Sequence, residues 1–71
     1  MTRKELKQAI NEITEDKLLT GEREALETFI WNAIEDRTGG KYTRARASID
    51  FLHMAGRIDL TDAFQLADLI G

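Results

Sequence analysis

An all-α fold, a compact four-helix domain with the outline of two helix-loop-helix halves, is predicted by three features of this sequence. Apolar residues recur at three- and four-residue intervals in four separate stretches. Proline is absent, so no helix is interrupted from within, and glycines stand where helices would end. The chain has 71 residues, 42% of them apolar and 32% charged, which is the range of a single globular domain. A domain of that length buries only about 60% of its unfolded surface, so its stability is marginal.

The first helix is expected over residues 3–15. Thr2, followed three residues later by Glu5, has the pattern of a capping box, and Leu6, Ala9, Ile10 and Ile13 form a narrow apolar stripe. The second is expected from Glu22 to Arg37, with Thr20 as its cap, acids in its first turn and Gly39–Gly40 to stop it. Its buried face reads Ala25, Leu26, Phe29, Ile30, Ala33 and Ile34. The third should run from Thr43 or Arg44 to Gly56. Its apolar positions, Ala45, Ala47, Ile49, Phe51, Leu52, Met54 and Ala55, cover more than half the helical wheel, the mark of a central, buried helix. The last begins after Thr61 and offers Ala63, Leu66, Leu69 and Ile70 before Gly71. It is too short to be stable alone.

The halves echo each other. Residues 9–13 (Ala-Ile-Asn-Glu-Ile) resemble residues 48–52 (Ser-Ile-Asp-Phe-Leu), and Leu26, Phe29 and Ile30 match Leu66, Leu69 and Ile70. Each half reads as helix, short link, helix, and the central aliphatics of the links at 17–20 and 57–60 are placed to face each other in a two-residue bridge.

Several function classes find no support. The longest apolar run, Phe29-Ile30-Trp31, is far too short for a membrane span. No cysteine is present, so disulfides and thiolate metal sites are excluded and a reducing cytoplasm is the expected setting. A calcium loop fails in the second link, where Phe51, His53 and Ala55 hold the early ligand positions, and the first link lacks the turn glycine. His53, the one imidazole, reads as a surface or interhelix hydrogen-bonding residue, because Ser48 lies about 140° away around the helix. The carboxylates of helix two belong to a wet face rather than to an apolar setting that would tune them for acid-base work. No enzyme activity, cofactor or metal is expected.

Ten Lys and Arg against thirteen Asp and Glu leave a net charge of −3, unevenly spread. Glu22, Glu24, Glu27, Glu35 and Asp36 face Arg23 alone, whereas Arg37, Lys41, Arg44 and Arg46 follow with no acid among residues 37–49. Around Gly39 and Gly40 these cations and Tyr42 have the outline of a phosphate or nucleic-acid contact at a helix N-terminus. Arg44 and Arg46 stand in a first turn, where the helix dipole disfavours positive charge. The plainer account is a solvated turn with Arg46 paired to Asp50. As a helix-turn-helix the segment is weak, since its connection exceeds the usual turn and helix three lacks a broad polar face.

Trp31 lies outside the apolar arc of helix two, beside Glu24, Glu27 and Glu35, and Phe64 lies off the main stripe of helix four. They read either as partner-binding anchors or as rings folded over the edge of a small core. Two functions are therefore in view. The first is a small regulatory module that binds a protein, itself or another, through Trp31, Glu27 and Phe64. The alternative is a nucleic-acid-binding regulator using Arg37, Lys41, Tyr42, Arg44 and Arg46. A homodimer is compatible with both, and the size and composition suit a regulator carried by a phage or other mobile element.

Overall fold

The first helix starts where the capping box places it. The Thr2 hydroxyl accepts from the Glu5 amide at 3.1 Å and the Glu5 carboxylate accepts from the Thr2 amide at 2.8 Å. A computed structural model describes all 71 residues and folds them into α1 (Arg3–Thr14), α2 (Thr20–Glu35), α3 (Lys41–Met54) and α4 (Leu60–Ile70), with no strand. The protein is thus an all-α four-helix domain.

The helix ends differ from the sequence reading for local reasons. Thr20 does not cap α2; it is the first helical residue, and the Leu19 amide is satisfied by Glu22 at 2.8 Å. Gly21 consequently lies inside the first turn rather than at an end. Asp36, in extended backbone, closes α2 before Arg37. Gly39 and Gly40 both take left-handed conformations, φ 61° and 76°, which glycine adopts without a Cβ clash. The chain reverses so tightly there that α3 begins at Lys41, two residues early. Similarly, α4 starts at Leu60 because Asp59 caps it, accepting from the Asp62 amide at 2.8 Å.

The core gathers Leu6 and Ile10 from α1, Leu26, Ile30 and Ala33 from α2, Ala45, Ile49 and Leu52 from α3, and Ala63, Leu66 and Ile70 from α4. Leu18 and Ile58 from the two links complete it. Helices α2 and α4 each contact all three others, whereas α1 and α3 do not pack against each other. Contrary to the width of its apolar arc, α3 is therefore not the central helix: it rests on α2 and α4 alone. Ala45, Ile49 and Leu52 are buried and Tyr42 packs partly against the core, whereas Ala47, Phe51, Met54 and Ala55 face solvent.

The links do not bridge through their backbones. Side chains join them instead, in a reciprocal pattern. Lys17 of the first link donates to Asp62 in the first turn of α4 at 2.6 Å, and Arg57 of the second link donates to Glu22 in the first turn of α2 at 2.9 Å. The two donors are forty positions apart, and so are the two acceptors. Arg57 also reaches the Lys17 carbonyl at 3.3 Å. The hydrogen bond to Asp62 raises the pKa of Lys17, that to Glu22 raises the pKa of Arg57, and Arg57 in turn lowers the pKa of Glu22.

Candidate functional site

Four residues of the basic stretch, Arg37, Lys41, Tyr42 and Arg46, engage each other or Asp36 around the N-terminus of α3, whereas Arg44 lines a groove between α2 and α3. The Asp36 carboxylate accepts from the Thr38 hydroxyl at 2.6 Å and the Thr38 amide at 2.9 Å, and holds Lys41 Nζ at 3.3 Å. These bonds, those from Thr38 first, depress the Asp36 pKa to about 2. An acid is thereby fixed against the helix end where cations stood alone in the sequence, which offsets the unfavourable dipole of that turn. The Arg37 guanidinium stacks 4.8 Å from the Tyr42 ring centroid. Arg46 does not pair with Asp50; it reaches back one turn to the Tyr42 hydroxyl at 3.4 Å, with its Nε enclosed and without a partner. Arg37 has no partner beyond that ring, and Arg44 alone of the set has neither an ion pair, nor a side-chain hydrogen bond, nor an aromatic contact within the chain.

This geometry carries a pH dependence. Glu5 and Glu22 are, like Asp36, held below their ordinary values, Glu5 chiefly by the Thr2 amide and Glu22 chiefly by Arg57. A carboxylate with a lowered folded pKa contributes stability above its unfolded pKa and loses it as pH falls through the folded one. Urea midpoints should therefore be level near neutrality, fall below the unfolded values of 4.5 and 3.8, and continue falling to about 2. Asp36→Asn should lower the neutral-pH midpoint and flatten the acid slope; an unchanged slope would contradict the Asp36 geometry.

Trp31 is half-buried against the core. Arg3, from α1, lies 5.8 Å from the ring centroid while donating to Glu27 at 2.8 Å and to the Thr28 hydroxyl at 3.3 Å. The Trp31 ring thus lies over the core edge, and Glu27 is engaged in the α1–α2 joint. Phe64 is 60% exposed on α4, with Leu60 one turn earlier also exposed.

Phe29, Ala47 and Phe51, expected on buried faces, are exposed instead. Phe29, Arg44, Ala47, Ser48 and Phe51 line an open groove of about 600 Å³ between α2 and α3. Phe29 lies at the edge of the helix contact, while Phe51 is 69% exposed and Met54, three residues on, 85% exposed. The signal was present in the excess width of the α3 arc: a helix resting on only two neighbours cannot bury it all.

No three His, Asp or Glu side chains converge on a common point, and no helix is long and apolar enough to cross a membrane. No protein-family model, curated protein or solved structure matches the chain.

Proposed function

We propose that this chain is a small non-catalytic regulatory module that binds a protein through the outer face of α3 and the adjoining edge of α2. The observation that carries the reading is the contiguous groove of Phe29, Ala47 and Phe51, open to solvent and flanked by the unpaired cation Arg44. Apolar patches rimmed by charge are characteristic of docking surfaces, and aromatic side chains supply most of their binding energy. Phe51 takes the anchor role expected of Trp31, because Trp31 already packs within its own chain. Nucleic-acid binding through Arg37, Lys41, Tyr42, Arg44 and Arg46 draws less support, since Asp36 and Tyr42 engage the other three cations.

A photo-crosslinking residue at Phe51, introduced into the chain in cells that naturally produce it, should yield a protein adduct. The same probe at Gln8, exposed on α1, should not. Absence of an adduct from position 51, or equal adducts from both positions, would overturn the reading. Duplex DNA should show no salt-sensitive binding up to about 100 µM protein.

A further inference from the structure

The α3 face is self-complementary, and we propose that its partner is a second copy of this chain, docked by an antiparallel two-fold crossing of α3 on α3. The inference rests on the protein-binding reading above and names its occupant. Ala47 and Ser48 stand at the middle of the exposed face, and their small side chains let two helix backbones approach closely. Arg44 and Phe51 lie at equal distances on either side, each three and a half positions from the midpoint between Ala47 and Ser48, or about 5 Å along the axis. A two-fold axis through that midpoint brings Phe51 of each copy over Arg44 of the other.

The pairing supplies what each residue lacks. Arg44 has no partner in its own chain, and Phe51 is largely exposed. In the dimer the guanidinium meets an aromatic face, and the incoming ring enters the groove walled by Phe29, Arg44 and Ala47. Both contacts occur twice, as an isologous interface requires, and the antiparallel crossing sets the helix dipoles in their favourable orientation. The patch is small, so the dimer belongs with weak interfaces, with Kd on the order of 10–100 µM.

Sedimentation equilibrium from about 5 to about 500 µM tests this, because that range brackets the expected Kd. The mass should rise from 8.1 kDa towards twice that value. Phe51→Arg sets cation against cation and should weaken association at least about 10-fold, a cost of about 1.4 kcal/mol. Its exposed position predicts an unchanged circular dichroism spectrum. The exchange Arg44→Phe with Phe51→Arg rebuilds both pairs and should restore the dimer. Because the chain has no cysteine, Ala47→Cys should oxidise to a disulfide-linked dimer across the axis. A monomer throughout the range, or a dimer indifferent to Phe51→Arg, overturns the second copy as occupant. Failure of the exchange variant to dimerise overturns the antiparallel register. A monomeric chain that still crosslinks from position 51 to a different protein refutes this inference and leaves the protein-binding reading standing.

Discussion

Leu66→Ala should lower the free energy of unfolding by about 2–5 kcal/mol, whereas Phe51→Ala should change it by no more than about 0.5 kcal/mol. Both substitutions remove a large apolar side chain from a helix, and only the surroundings differ. Leu66 is fully buried on α4, which like α2 contacts all three other helices, so its truncation leaves a cavity that rigid neighbours fill only partly. Phe51 stands in water, where a truncated side chain leaves no void. A domain of this length has about 4–10 kcal/mol of stability in all, so the first variant approaches its unfolding threshold. Urea denaturation at low micromolar concentration, where self-association does not contribute, is the measurement. Equal losses in the two variants would refute the outward orientation of Phe51 on α3.

Asp62→Ala should cost about 2 kcal/mol, more than any single change at an exposed polar residue. Asp62 is one of two buried polar residues, and its carboxylate serves twice. It accepts from Lys17 at 2.6 Å and from the Asp59 amide at 3.4 Å, so its loss unties the first link and weakens the start of α4 together. Asp62→Asn retains an acceptor for the Asp59 amide but not the charge, and should lose less than Asp62→Ala. A double-mutant cycle with Lys17→Ala isolates the pair. Additive effects would mean that the short contact contributes nothing to stability.

Much of the fold was legible in the sequence because α1, α2 and α4 each carry one apolar stripe, and a single stripe admits one orientation. Thr2 with Glu5 located the start of α1 for the same reason, since a reciprocal cap is a local pattern. The orientation of α3 was not legible. Its wheel holds two adjoining apolar arcs, Ala45–Ile49–Leu52 and Ala47–Phe51–Met54, and periodicity alone does not say which is inside. Burial of the first followed from which neighbours α3 meets, a non-local fact. The basic turn was recognisable as a cluster, yet its engagement was hidden, because Asp36 had been counted with the preceding acidic helix. Trp31 was ambiguous in the sequence because Arg3, which lies against its ring, stands twenty-eight positions away.

The exchange of ion pairs between the links bears on how the molecule comes apart. Lys17 has its acceptor in the second half of the chain and Arg57 has its acceptor in the first, while Leu18 and Ile58 enter one shared core. Releasing either half would strip the other of its link contacts and open its only apolar interior to water. Neither half is therefore a subunit of stability in its own right, and the domain should lose its structure in one cooperative step, without an intermediate in which a single helical pair persists.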